Sequence, residues 1–267
     1  MIILFIKIIA TTVFVLGFSI LAERCSPRLA GILMGAPLGA LISYFFIGQE
    51  AGPEYVVAGT PFAAAGMTGT LMFTYAYYRT SVWCSDWLPH WNAFSATLIG
   101  VAVYLIFVAT IKGFAFNIVF ALTLVIPAMF LGTFMFRKLG DLAVTAPPQL
   151  TLRLLFMRAG GAALLVSLIS SLAASLGPVW GGLLMAFPMT LLPTMVIIHL
   201  SYSKEHVYAL LSAFPVGLGS VIVYIVAVGE TFPRFGVTGG TISALAAAWA
   251  YLMLLPIGFK IVRYIKV

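Results

Sequence analysis

The 267-residue chain is 63% apolar or aromatic and only 8% charged, with a formal net charge of +7 and a mean hydropathy of +1.14. So few charges cannot cover a water-soluble surface, which makes lipid the main solvent and leaves almost no mass for a soluble domain. The basic excess sits singly at the ends of apolar runs and not in a patch interleaved with aromatics, which excludes a nucleic-acid surface and points to membrane topology.

A helix that crosses roughly 30 Å of hydrocarbon needs about 20 mostly apolar residues. On that measure the chain holds nine spans, at residues 2–22, 28–48, 55–78, 92–111, 115–136, 152–174, 179–200, 207–229 and 239–262. Lipid offers no partner to unpaired backbone groups, so the expected class is an all-α integral membrane protein. A β-barrel would need alternating strands, and the run from Ile118 to Met135 does not alternate.

The first span carries Lys7 inside its apolar run and lacks a basic leading region. The segment Ala22-Glu23-Arg24-Cys25 puts charge where a signal cleavage site needs small residues, so this span is expected to be retained. Arg24, Arg28, Arg79, Arg137, Lys138, Arg153, Lys204, Lys260, Arg263 and Lys266 fall on one face, against little more than Lys112 and Arg234 on the other. That bias makes the first face cytoplasmic, with the N-terminus outside and the C-terminus inside a bacterial-type cytoplasmic membrane. Cys25 and Cys84 both fall on the cytoplasmic side, where thiols stay reduced, and two cysteines build neither a zinc site nor a disulfide framework.

Span 2 carries the segment Gly31-Ile32-Leu33-Met34-Gly35-Ala36-Pro37, and span 7 carries Gly182-Leu183-Leu184-Met185-Ala186-Phe187-Pro188. Proline removes a backbone donor and clashes with the preceding turn, so both helices are expected to be interrupted near mid-membrane. Span 7 has a second proline, Pro193, between Thr190 and Thr194. Interrupted helices are tolerated at that depth only where protein or a water-filled cavity takes up the freed groups, and their half-helix ends offer partial charges to a ligand. Gly35, Pro37, Met185, Pro188, Thr190, Pro193 and Thr194 are therefore the expected binding residues, with close helix packing as the alternative use of the same glycines and prolines.

These segments belong to a longer match. At an offset of 151 residues the region 1–77 aligns without a gap on 152–228, pairing Lys7 with Arg158, Pro27 with Pro178, Pro37 with Pro188, Glu54 with Glu205 and Gly66 with Gly217. Five spans separate equivalent positions, and an odd number of crossings inverts the second copy. The expected plan is four plus one plus four: residues 1–111 as the first repeat, 112–150 as connector, and 151–267 as the second, inverted repeat. Inverted repeats give secondary transporters two exchangeable states.

Lys7 and Arg158 can snorkel to the interface, but an intramembrane cation is by default a functional candidate. If one faces inward, Arg158 is the better choice, because Ala159, Gly160 and Gly161 beside it admit a close neighbour, and a guanidinium favours an anion. Glu54 and Glu205 open spans 3 and 8, and with His199 they are candidates for proton coupling or simply favourable first-turn carboxylates. No metal site is expected, although sodium could be held by carbonyls and hydroxyls such as Ser43, Thr190 or Thr194. The aromatics Tyr75, Tyr77, Tyr78, Trp83, Trp87 and Trp91 read as an interfacial belt. A paired-aspartate motif, a zinc helix, a phosphate-cradling loop and a nucleophile elbow are all missing from the sequence. No catalysis and no cofactor beyond a coupling Na⁺ or H⁺ are expected.

The four-plus-four plan, with Gly31 to Pro37 and Gly182 to Pro188 at its centre, resembles the small bacterial permeases of the sulfite and sulfonate exporter class (TauE/SafE). That resemblance implies a secondary carrier of small organic or sulfur-containing anions. Two other readings share the architecture: a translocase for a lipid with a phosphate head group, and an accessory membrane subunit that transports nothing.

Overall fold

The computed structural model describes residues 2–23, 36–87, 89–137, 139 and 151–265. Among these residues the chain forms nine α-helices and no strand. They are α1 (Ile2–Glu23), α2 (Leu38–Ala51), α3 (Pro53–Trp87), α4 (Asn92–Ile111), α5 (Ile118–Phe136), α6 (Leu152–Ser175), α7 (Pro178–Met185), α8 (Leu191–Ser201) and α9 (Lys204–Ile265). Five of them, α3, α4, α5, α6 and α9, are long and apolar enough to cross a membrane. The described residues are thus all-helical, and five of their helices have the length and apolarity that crossing a membrane requires.

Local chemistry sets several of the ends. Asn117 caps α5 by accepting a hydrogen bond from the Phe120 N–H at 2.7 Å, and Thr151 caps α6 through the Leu154 N–H; each takes up one of the donors a helix start leaves unpaired. Span 7 of the sequence is two helices, α7 and α8, with residues 186–190 outside both. Spans 8 and 9 are the two parts of α9, which fold back on each other at Gly236, whose φ of 67° and ψ of −175° lie in a region open only to glycine; Thr231 reaches Gly240 O and Tyr251 reaches Val216 O across that turn. Span 3 is longer than expected and reaches Trp87.

Burial divides the helices into a centre and a rim. The apolar stretch of α3 is 72% buried and that of α9 67%, against 17% for α5. Helix α3 packs against α2, α4, α5, α7 and α9, while α6 gathers α1, α2, α7 and α8. The outer face of α5 exposes Val119, Phe130, Leu131 and Phe134, which suits hydrocarbon rather than water. Trp83, Trp87 and Trp91 are exposed as an interfacial belt requires, but Tyr77 is buried. Helices α3 and α7 come into backbone contact where both lack a side chain: a Cβ on Gly182 would collide with the Gly59 carbonyl oxygen. Small residues bring membrane helices together in this way.

Candidate functional site

The two proline segments meet. Pro37 and Pro188 line one cavity of about 50 Å³ between α2, α3, α9 and the gap that separates α7 from α8. Its wall also contains Ala36, Gly39, Ala40, Met67, Thr70, Phe187, Thr190, Leu191, Leu218 and Val221. These twelve residues form six pairs spaced 151 apart: Ala36 with Phe187, Pro37 with Pro188, Gly39 with Thr190, Ala40 with Leu191, Met67 with Leu218, and Thr70 with Val221. One of the pairs is in contact, since a Cβ on Gly39 would stand 3.3 Å from Thr190 Cγ2. Met185, Ala186, Met189 and Phe214 complete the lining.

The two proline turns share one backbone geometry. At the first, the Leu38 N–H donates to Ala36 O at 2.8 Å and the Leu41 N–H to Pro37 O at 2.6 Å. At the second, the Met189 N–H donates to Phe187 O at 2.7 Å and the Leu192 N–H to Pro188 O at 2.9 Å. Each bond has its counterpart 151 residues on. A two-residue hydrogen bond around a proline is an inverse γ-turn, which Pro37 adopts with φ −77° and ψ 40°. The turn reverses the chain at a point where a continuing helix would demand the proline N–H that does not exist.

An interrupted helix frees carbonyls that lipid cannot satisfy, and hydroxyls from two neighbouring helices take them up. Thr70 of α3 donates to Ala186 O, and Tyr104 of α4 donates to Leu183 O. Neither hydroxyl stands out in the sequence pattern.

No protein-family model, no curated protein and no solved structure matches this chain.

The structure brings Pro37, Met185, Pro188 and Thr190 to the cavity wall; Gly35 lies outside the described residues. Pro193 and Thr194 stand one layer back. Pro193 packs on Gly161 of α6. Thr194 donates to Thr190 O at 2.8 Å and accepts from Arg158 Nε at 3.2 Å, so the guanidinium reaches the cavity wall through one hydroxyl. Arg158 and Lys7 are both buried within the protein, 4% and 1% exposed. Both cations turn inward because polar groups of adjacent helices meet them there, Thr194 for Arg158 and Glu50 for Lys7. Glu50 is not among the expected residues, since it pairs with no acid at the repeat offset.

The coupling candidates are elsewhere. Glu54 is exposed at the start of α3. His199 is half-buried and shares a 2.7 Å hydrogen bond with the Tyr77 hydroxyl, near Glu205. None of the three lines the cavity. Among the described residues no group of three His, Cys, Asp or Glu side chains gathers to hold a metal.

Proposed function

We propose that this chain is a secondary transporter of the cytoplasmic membrane that moves a small anionic metabolite by alternating access. The observation that carries the reading is the cavity at which two proline turns of identical hydrogen bonding meet, walled by six residue pairs 151 apart. A four-plus-one-plus-four chain with inverted halves accounts for that spacing, because an axis relating the halves would pass between equivalent residues such as Gly39 and Thr190. On this reading α1 to α4 form one repeat, α5 the connector and α6 to α9 the other, with the N-terminus outside and the C-terminus inside. A cavity of about 50 Å³ holds a few waters and no metabolite, so cargo enters only when the halves rock apart. Arg158, one hydroxyl behind the wall, supplies the charge that favours an anion. A sulfite or sulfonate cargo would fit the family resemblance.

Flux into proteoliposomes tests this. Lactate, isethionate, sulfite and inorganic phosphate are offered under imposed sodium or proton gradients, with Arg158→Ala and Pro188→Ala beside the parent protein. Uptake of at least one anion, reduced about tenfold or more by Arg158→Ala, is expected from the loss of a charge-assisted interaction. A transported anion that both variants carry unchanged removes this site from the mechanism.

A further inference from the structure

Among the described residues, two buried tyrosine hydroxyls have no hydrogen-bond partner. Tyr44 of α2 and Tyr224 of α9 are both 0% exposed, their rings perpendicular with centroids 5.8 Å apart, and neither oxygen has a hydrogen-bond partner. Thr241 lies beside the Tyr224 hydroxyl, but the two are not in hydrogen-bonding geometry, and Thr241 donates its own proton to Val237 O at 2.7 Å. A buried polar group without a partner is costly, and native interiors rarely leave one. The hydroxyls of Thr68 and Ser167 are also unpaired, yet a short side chain on a helix can turn toward its own backbone carbonyls. A phenol at the end of a rigid ring cannot.

Position ties the pair to the cavity. Tyr44 stands four residues after Ala40 on α2, and Tyr224 three residues after Val221 on α9; Ala40 and Val221 both line the wall. Residues three or four apart share a helix face, so the tyrosines continue two walls of the cavity by one turn. Tyr104, in the same cluster, is already committed to Leu183 O. The frame itself does not require the two free hydroxyls: 151 residues away the same positions are held by Met195 and Phe73, both buried and apolar.

We infer that Tyr44 and Tyr224 form an oxyanion subsite, donating their two O–H groups to a carboxylate, sulfonate or phosphate group that occupies the cavity and the turn beyond it. This deepens the carrier reading and rests on it. Neutral phenols donate without a counter-charge, so they orient an anion and release it readily, which a carrier needs in the site its cargo must leave.

The test is thermal unfolding of the purified protein in detergent, titrated with lactate, isethionate, sulfite, inorganic phosphate and a short-chain isoprenyl phosphate, for the parent, Tyr44→Phe, Tyr224→Phe and the double variant. Without added anion, each variant is expected to melt at or above the parent temperature, because it sheds an unpaired polar atom. With the stabilising anion, the double variant is expected to bind about tenfold or more weakly. Whether a free anion or the isoprenyl phosphate stabilises the parent identifies metabolite or lipid head group as the source. A double variant that binds as tightly as the parent overturns the subsite and leaves the carrier standing, and a lowered melting temperature without ligand overturns it by revealing a structural partner. If the parent binds none of the five probes, the anion-carrier reading fails first and the subsite with it.

Discussion

Lys7 Nζ lies 2.8 Å from Glu50 Oε1, with the lysine side chain 2% exposed and the glutamate 26%. The bond ties the first half of α1 to the last turn of α2, and the ammonium also stands 5.7 Å from the centre of the Phe46 ring. Removing one member of a buried pair leaves a charge in an apolar interior. Glu50→Gln should therefore destabilise by about 2 kcal/mol, at the lower end for a buried pair because water reaches the carboxylate. Adding Lys7→Met should recover most of that loss. A double-mutant cycle from unfolding in detergent reads the coupling; losses that simply add would mean the contact carries no energy.

The close crossing of α3 and α7 makes a steric prediction. Gly182→Ala places a methyl group against the Gly59 carbonyl, and backbone on both sides leaves no flexible atom to yield. A cost of about 3 kcal/mol or more is expected, seen as loss of the monodisperse folded fraction after solubilisation. Gly160→Ala, where nothing lies within 4 Å of the added carbon, should stay within about 0.5 kcal/mol of the parent.

One chemical change, tyrosine to phenylalanine, should act in opposite directions at two places. Tyr104→Phe removes the side-chain donor to the Leu183 carbonyl at the start of the break and leaves it the 3.3 Å bond from the Ala186 N–H, so it should cost about 1 kcal/mol. Tyr44→Phe removes a hydroxyl with no partner and should cost nothing without ligand. Equal losses at both positions, read from the same melting curves, would show that Tyr44 is held as Tyr104 is.

Nothing in the local sequence around those two tyrosines distinguishes the bonded hydroxyl from the free one, whereas other features are written locally. Hydropathy alone separates the helices, because lipid forces each apolar run of sufficient length into one conformation. The prolines disclose the breaks, since a missing N–H acts locally whatever surrounds it. Partners are another matter. Glu50 meets Lys7 across 43 residues, and Thr70 reaches Ala186 across 116, through crossings that no periodicity encodes. The break between spans 8 and 9 is also written locally, since Gly236 takes a backbone conformation open only to glycine, just past the exposed Glu230–Arg234 pair at 3.2 Å. Burial of Lys7 and Arg158 is undecided in the sequence because an aliphatic stem can carry its charge either way.

Orientation is the last prediction, and the transport reading stands or falls with it. Gln49 lies in the last turn of α2 and Ser201 ends α8, both exposed and close to equivalent positions at the 151-residue offset. If the halves are inverted, those ends face opposite compartments. Single cysteines at Gln49 and Ser201, in a background with Cys25 and Cys84 replaced by serine, should react with a membrane-impermeant maleimide from opposite sides of intact cells and inverted vesicles. The packing already favours an antiparallel relation of the first helices, since Val15 in the second half of α1 packs with Ala159 and Ala162 in the first half of α6. Labelling of both cysteines from one side would make the halves parallel. Two parallel copies cannot exchange conformations to open the same cavity alternately inward and outward, so that outcome would end the alternating-access proposal.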